Sequence, residues 1–352
     1  MKKFAQGKIS KIIITVITLV VLVYALGPRP KLTEDKRLPQ LGVSIENIET
    51  YIDQKERKVK GLKPHNESEI IWADQAGLKT KYSIVYLHGW SASKQEGAPV
   101  HYRLAETFGA NLYLPRLYAH GIEKQVPFEE LTADKLIKSA KEAIAYGQLL
   151  GDELIVVSTS TGGSLALYLA SEIKNLKALV LYSPNIEIYN PTAKILDKPW
   201  GAQIAKKIQG SDQFYPDVPQ RRKPFWNDHY AVSALPELQA FLSAHMNETT
   251  FKTVNEPMFL GYYYRNENEQ DKVVSVDAML EMYRQIATPK SKKYKVTFPE
   301  AGNHILASPL ASDAVEEVYQ ETAQFLINTV GLAVASPTDN KRNNAEDYPQ
   351  LQ

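Results

Sequence analysis

The 352-residue sequence contains no cysteine and carries almost no net charge. The lack of cysteine excludes disulfide bonds and cysteine-ligated metal sites. The seven histidines show no His-x-x-x-His spacing of the kind that binds a metal on a helix, so we expect neither a metal nor an organic cofactor. Because 41 basic residues balance 40 acidic ones, the charge predicts neither nucleic-acid binding nor steering of an acidic partner.

Only the N-terminus has a long apolar run. Basic residues in segment 1–11 precede an uncharged apolar stretch at 12–27, and Pro28 and Pro30 would end any helix there. This pattern predicts a transmembrane anchor, with a cleaved signal segment or a buried soluble helix as alternatives. A signal cleaved after Gly27 would start the mature chain with proline, which favours the anchor. The basic flank predicts a cytoplasmic N-terminus and a membrane-bound domain outside the cytoplasm.

Beyond the apolar run, the chain divides into three predicted parts. Residues 28–66 predict a linker and an N-terminal helix, residues 67–330 a single domain, and the polar segment 331–352 a disordered tail. In the central part, apolar strand patterns alternate with helical ones. This alternation predicts an α/β fold with a mainly parallel sheet covered by helices on both faces. A long insert at about 185–256 predicts a helical cap over the sheet.

One serine lies where a strand pattern changes abruptly to a helix pattern. The apolar run Glu153–Val157 predicts a buried strand, and Ser164–Ser171 predicts the start of a helix. Ser160 lies at the turn between them, with the small residues Ser158 and Gly162 two positions on either side. This layout predicts a nucleophile elbow with Ser160 at its apex. An ordinary loop rich in serine and threonine is the alternative.

An earlier strand is followed by a candidate oxyanion hole. Tyr82–Leu87 predicts a strand, and His88-Gly89-Trp90 follows it directly. In this layout the backbone N–H groups of Trp90 and Thr161 would bind a developing oxyanion. A plain tight turn after the strand is the alternative.

Two later loops supply a candidate acid and a candidate base. Asp271 lies in the polar loop after the predicted strand Pro257–Tyr264, and His304 follows the predicted last strand Lys293–Phe298. The carboxylate would orient the imidazole, which would act as general base towards Ser160. Three other carboxylates are candidates for the acid: Glu267, Glu269 and Asp277.

The chain order serine, acid, histidine differs from the orders in chymotrypsin and subtilisin. On these motifs the chain resembles the α/β-hydrolase superfamily, and within it the branch of monoglyceride lipases and bacterial carboxylesterases. The resemblance rests on five motifs in order: His88-Gly89-Trp90, Leu114-Pro115-Arg116-Leu117-Tyr118-Ala119-His120-Gly121, the Ser160 elbow, Asp271-x-x-Val274 and Gly302-Asn303-His304. The sequence departs from the usual pattern at Ser158, where glycine is common, and at Tyr118-Ala119.

The resemblance implies a serine hydrolase that cleaves carboxylic esters through a Ser160–Asp271–His304 triad and an acyl-enzyme. An aromatic-rich insert and the predicted anchor indicate a small-molecule ester with an apolar acyl group. A serine peptidase, an amidase, a thioesterase and a non-catalytic membrane-tethered binding protein with this fold remain alternatives. The sequence leaves the oligomeric state open.

Overall fold

The computed structural model describes residues 2–33 and 37–336, and within these ranges the side chains from residue 11 onward. The predicted disordered tail therefore lies outside the described residues from position 337 on. Residues 331–336 belong to neither a helix nor a strand.

The core of the fold is a seven-stranded sheet. Among the described residues the strands are β1 (Glu69–Ile71), β2 (Thr80–Leu87), β3 (Asn111–Leu114), β4 (Gly151–Thr159), β5 (Leu176–Tyr182), β6 (Gln213–Phe214), β7 (Tyr230–Ala231), β8 (Met258–Tyr262), β9 (Tyr264–Asn266), β10 (Glu269–Gln270) and β11 (Lys293–Thr297). The strands of the large sheet lie in the order β1-β3-β2-β4-β5-β8-β11, and all neighbours are parallel except β1, which runs antiparallel to β3. The predicted mainly parallel α/β sheet is therefore confirmed.

Helices cover both faces of this sheet. The helices among the described residues are α1 (Lys2–Ala25), α2 (Ile48–Glu56), α3 (Val100–Phe108), α4 (Ala133–Leu150), α5 (Thr161–Glu172), α6 (Gly201–Gln209), α7 (Ala234–His245), α8 (Glu248–Phe251), α9 (Val276–Gln285) and α10 (Val315–Asn328). One apolar cluster joins α4, α5 and α9 to the face that carries Val85 and Leu87, and a second joins α3 and α10 to the face that carries Ile84 and Tyr86. Because both faces are buried, the central strands are apolar at nearly every position.

The parallel strands bring distant parts of the chain to one edge. Strands β2, β4, β8 and β11 run in the same direction, so their carboxyl ends lie along a common edge. Trp90 follows β2, Ser160 follows β4, Asp271 follows the β9–β10 hairpin after β8, and His304 follows β11. In open α/β sheets, ligands bind in the crevice outside the carboxyl ends of the strands.

The insert between β5 and β8 contains α6, α7, α8 and the small β6–β7 sheet. Four of its aromatic side chains, Trp226, Tyr230, Phe241 and Phe251, are buried, whereas Tyr189 and Tyr215 are exposed. Trp226 packs with residues from the loops around the sheet edge, and Phe241 joins the main core. The buried side chains of this insert therefore extend the core of the domain near the carboxyl ends of the strands.

The N-terminal apolar run forms the second half of α1. Its end contacts the insert, where the Trp200 indole N–H donates a hydrogen bond to the Val23 carbonyl at 3.0 Å. Within the residues that the structure describes, no helix is both long enough and apolar enough to cross a membrane. The predicted membrane-spanning helix at 12–27 is therefore not supported.

Substitution of Phe259 on β8 measures how much the stability of the fold depends on aromatic packing against the sheet. Its ring is fully buried and packs against the rings of Tyr182, Tyr294 and Phe325. Phe259→Ala should lower the free energy of unfolding by about 3–5 kcal/mol, because it removes a buried ring and leaves a cavity. Denaturant unfolding measures the change, with Tyr215→Ala as the exposed control. Equal effects of the two substitutions would contradict this account of the core.

Candidate active site

Ser160 occupies a strained turn between β4 and α5. Its backbone has a φ of 54° and a ψ of −120°, in a region that side-chain-bearing residues rarely adopt. The turn is held in place because the Ser160 N–H donates to the Tyr182 carbonyl at 3.0 Å, while the Ser160 carbonyl accepts from Gly163 and Asn185. These bonds fix a conformation that a free chain would avoid, as a nucleophile elbow requires.

The residues around the turn explain why it needs small side chains. A Cβ atom on Gly162 would lie 2.0 Å from the Leu87 carbonyl oxygen, so any larger residue would push β2 away. Ser158 stands where glycine is common, and its hydroxyl donates to the Val180 carbonyl on β5 at 3.1 Å. The neighbouring strand therefore accommodates the extra side chain by satisfying its polar atom.

Asp271 and His304 form a buried pair. Asp271 Oδ2 and His304 Nδ1 lie 2.5 Å apart, and their side chains are 0% and 9% exposed. The other carboxylate oxygen accepts the backbone N–H groups of Val273 and Val274, at 2.8 and 3.2 Å. With both oxygens bonded, the carboxylate has a single orientation and holds the imidazole with Nε2 as its free nitrogen.

The charge of Asp271 controls the protonation of His304. Burial disfavours the imidazolium, but the charge and hydrogen bond of Asp271 outweigh it and raise the pKa of His304 above its usual value. Among the described residues, His304 Nε2 has no hydrogen-bond partner. It is the nitrogen that would accept the Ser160 proton, and such contacts are often long in a structure without substrate.

The other acidic candidates for the triad have different partners. Glu267 accepts the Tyr264 hydroxyl at 3.0 Å, and Glu269 accepts the Asn266 side chain at 2.9 Å. Asp277 lies in the first turn of α9. Of the four carboxylates, the structure joins Asp271 to His304.

The segment His88-Gly89-Trp90, which we call the candidate oxyanion arm, lies directly against the Ser160 turn. A Cβ atom on Gly89 would lie 3.0 Å from Ser160 Cβ, so glycine permits the close approach. The Trp90 ring packs edge-on against Phe128, His120 and Tyr230, which fixes the residue that follows Gly89. Thr161 begins α5, where the first N–H groups have no acceptor within the helix.

One acidic side chain at the site was not predicted from the sequence. Glu96 is buried, and its Oε2 accepts the Gly89 N–H at 2.6 Å. Burial raises the pKa of Glu96 to about 7. Glu96 lies in a polar run, Ser91–Gly97, which is typical of a solvated turn, so the sequence carries no signal of its burial.

A separate cavity lies behind the Trp90 ring. It has a volume of about 340 Å³, and Phe128 both lines it and packs on Trp90 with ring centroids 4.9 Å apart. None of Ser160, Asp271 and His304 lines this cavity. It is therefore distinct from the candidate triad.

Solved structures with similar folds include several lipases and esterases. One, from work on the metagenome-derived lipolytic enzymes LipS and LipT, has a TM-score of 0.61 at 15% identity over 75% of this chain and 98% of the other. The monoacylglycerol lipase of Paleococcus ferrophilus gives 0.55 at 12% identity, over 74% and 98% of the two chains. A soluble variant of the monoglyceride lipase of Saccharomyces cerevisiae gives 0.56 at 12% identity, over 74% and 90%. At these identities the likeness concerns the fold.

A comparison with curated protein sequences finds no match. The model of the alpha/beta hydrolase family, in contrast, matches residues 84–321. This range covers most of the chain and includes the second half of β2, the elbow and the loops that carry Asp271 and His304. The chain therefore belongs to the alpha/beta hydrolase family.

Proposed function

We propose that this protein is a serine hydrolase that cleaves carboxylic esters with Ser160, Asp271 and His304. One observation carries the proposal: a buried Asp271–His304 pair and a strained Ser160 turn lie at the same edge of the sheet. Both features lie beyond the ends of the strands, and the strain at Ser160 opposes folding. A site that uses both is the simplest reason for them to occur together.

The proposed mechanism assigns one task to each group. His304 Nε2 takes the Ser160 proton as the hydroxyl attacks the ester carbonyl, and later returns a proton to the leaving alkoxide. Asp271 stabilises the imidazolium that forms between these steps. The backbone N–H groups of Trp90 and Thr161 bind the tetrahedral oxyanion, each contributing about 3 to 4 kcal/mol. Water then releases the acyl group through the same base.

The proposed substrate is a carboxylic ester. Two proteins of similar fold are named as a monoacylglycerol lipase and a monoglyceride lipase, which supports an ester with an apolar acyl group. The same triad could also cleave amides, peptides or thioesters. A panel of ester, thioester and aminoacyl substrates with the same acyl group separates these activities, and we expect the ester to have the highest kcat/KM.

A membrane location is a separate proposal. The side chains of Ile12–Val23 in α1 are mostly apolar and more than half exposed, which supports a role for this segment outside the folded domain. We propose that the segment attaches the chain to a membrane, with the catalytic domain outside the cytoplasm.

The Ser160 hydroxyl should be essential for hydrolysis. Ser160→Ala should lower kcat on p-nitrophenyl esters by at least about three orders of magnitude, because no other group supplies the nucleophile. It should also abolish labelling by a fluorophosphonate probe. Ser171→Ala, at the far end of the same helix, is the matched control and should keep both activities. A folded Ser160→Ala variant with unchanged turnover would refute the proposed function.

The pH dependence of kcat/KM should be set by the pKa of His304, which Asp271 raises. Because neutral His304 is the base, kcat/KM should rise as the pH rises through the pKa of His304, which lies above its usual value of 6.5. Asp271→Asn removes the charge that raises this pKa, so the rise should move to lower pH. The maximal rate should also fall by about three to four orders of magnitude. A rise at the same pH in both proteins would contradict the assigned role of Asp271.

The membrane proposal can be tested by fractionation. The full chain should remain in the membrane fraction after high-salt and alkaline washes, and protease added outside sealed cells should digest its catalytic domain. A variant with several apolar residues of segment 12–26 replaced by serine should move to the soluble fraction. Recovery of the unaltered chain in the soluble fraction would argue against attachment.

A further inference from the structure

Glu96 is a buried carboxylate that the proposed mechanism does not use. It lies in the short 3-10 helix Lys94–Gly97 and is 2% exposed. Its Oε2 accepts the Gly89 N–H at 2.6 Å and the Tyr86 hydroxyl at 3.2 Å. No ion pair involving Glu96 occurs in the part of the chain that the structure describes. Buried carboxylates without a paired cation are rare, because desolvation of the charge is costly.

This carboxylate faces the candidate nucleophile. A Cβ atom on Gly89 would meet Glu96 Oε1 at 2.8 Å and Ser160 Cβ at 3.0 Å. Glu96 and Ser160 therefore lie against the same face of Gly89, and both approach it closely only because it has no side chain. The carboxylate therefore lies close to the side chain of Ser160.

Both the backbone N–H group and the backbone carbonyl group of Gly89 form hydrogen bonds with side chains. Glu96 accepts its N–H, and His88 Nδ1 lies 2.9 Å from its carbonyl oxygen. Since His88 Nε2 accepts the Leu117 N–H at 3.1 Å, its Nδ1 carries the proton and donates to Gly89. The Gly89 carbonyl and the Trp90 N–H belong to one planar peptide. Fixing Gly89 therefore fixes the direction of the Trp90 N–H.

We propose that Glu96 is a positioning residue of the active site, which holds Gly89 so that the Trp90 N–H is aligned for the oxyanion, and whose negative charge supports protonated His304. The proposal rests on the proposed serine-hydrolase function. Burial of the Glu96 charge is costly for folding, and the proposal assigns this charge a role in the reaction. It also explains why the strongest hydrogen bond that Glu96 receives comes from the oxyanion arm.

The groups that face Glu96 influence whether its carboxyl group is ionised. They are Tyr86 from β2, the Gly89 N–H from the loop after β2, His304 from the loop after β11, and Arg222 from the insert. Burial raises the pKa of Glu96 to about 7, although these four groups favour the ionised form. In turn, the charge of Glu96 helps to raise the pKa of His304. Removing the charge should therefore make His304 easier to deprotonate.

Two substitutions at Glu96 separate hydrogen bonding from charge. Glu96→Gln keeps an oxygen that accepts the Gly89 N–H, so kcat on p-nitrophenyl butyrate should stay within about fivefold of wild type at high pH. Because the charge is lost, the rise in kcat/KM should shift to lower pH. Glu96→Ala leaves the Gly89 N–H without an acceptor. Its kcat should fall by about 10- to 100-fold with KM changed by less than about threefold, since an oxyanion donor is misaligned.

Matched controls exclude a general effect of removing an acidic residue. Glu316→Gln neutralises an exposed carboxylate that pairs with Arg103, and it should leave kcat, KM and the pH profile unchanged. Tyr86→Phe removes a hydrogen bond that favours ionised Glu96, and so should raise the pKa of Glu96 further. It should change the pH profile of the wild-type protein but add nothing in the Glu96→Gln background.

A stability measurement checks the ionisation without any substrate. Because the pKa of Glu96 is raised in the folded state, the protein should lose stability as the pH rises from about 4.5 to 7. Glu96→Gln removes this loss, so its melting temperature relative to wild type should increase over that range. A constant difference would overturn the proposed buried charge.

The outcomes distinguish this proposal from the proposed function. If wild-type protein hydrolyses no ester, the function fails and the role of Glu96 fails with it. If wild type is active and Ser160→Ala is not, the function stands. In that case, Glu96→Ala with a wild-type kcat, or Glu96→Gln with a wild-type pH profile, overturns the positioning role alone. A fall in melting temperature without a change in kcat would assign Glu96 to packing.

Discussion

The hydrogen bond between Asp271 and His304 is the interaction on which the site depends. It joins two loops that follow different strands, and it is buried, so water does not compete for either partner. The carboxylate has a fixed orientation because two backbone N–H groups bind its other oxygen. The β9–β10 hairpin carries the chain from the end of β8 to Asp271. The catalytic use we propose for His304 therefore depends on the geometry of a short hairpin.

Close backbone approach is the second constraint. The elbow, the oxyanion arm and β2 meet at Gly89 and Gly162, where added Cβ atoms would contact Ser160, Glu96 or the Leu87 carbonyl. At Gly162 the contact is with backbone, so a side chain would displace β2, whereas at Gly89 a side chain would displace Glu96 and crowd Ser160. At Ser158 the constraint is looser, because a hydroxyl fits when it bonds to the Val180 carbonyl. This difference explains why one small residue of the elbow pattern can vary.

Much of the fold was predictable from local patterns, and part of the site was not. Continuous apolar runs predicted the central strands because both faces of the sheet are buried, and the residues after those runs pointed to Ser160, Asp271 and His304. The β9–β10 hairpin was missed because its residues are polar and exposed. Glu96 was missed for a related reason: its burial depends on Gly89 and Tyr86, which approach it only in the folded chain. Tertiary contacts of this kind leave no trace in local composition.

The two buried carboxylates at the site differ in what surrounds them, and this difference suggests a division of roles. Asp271 bonds directly to the imidazole and to two backbone N–H groups, so it is suited to stabilise the positive charge that His304 would carry in the proposed reaction. Glu96 has one backbone donor and one hydroxyl, and it reaches His304 only through space. With fewer donors to offset its burial, its pKa is raised to about 7. Environment thus assigns two chemically similar groups to different tasks, as paired carboxylates do in other enzymes.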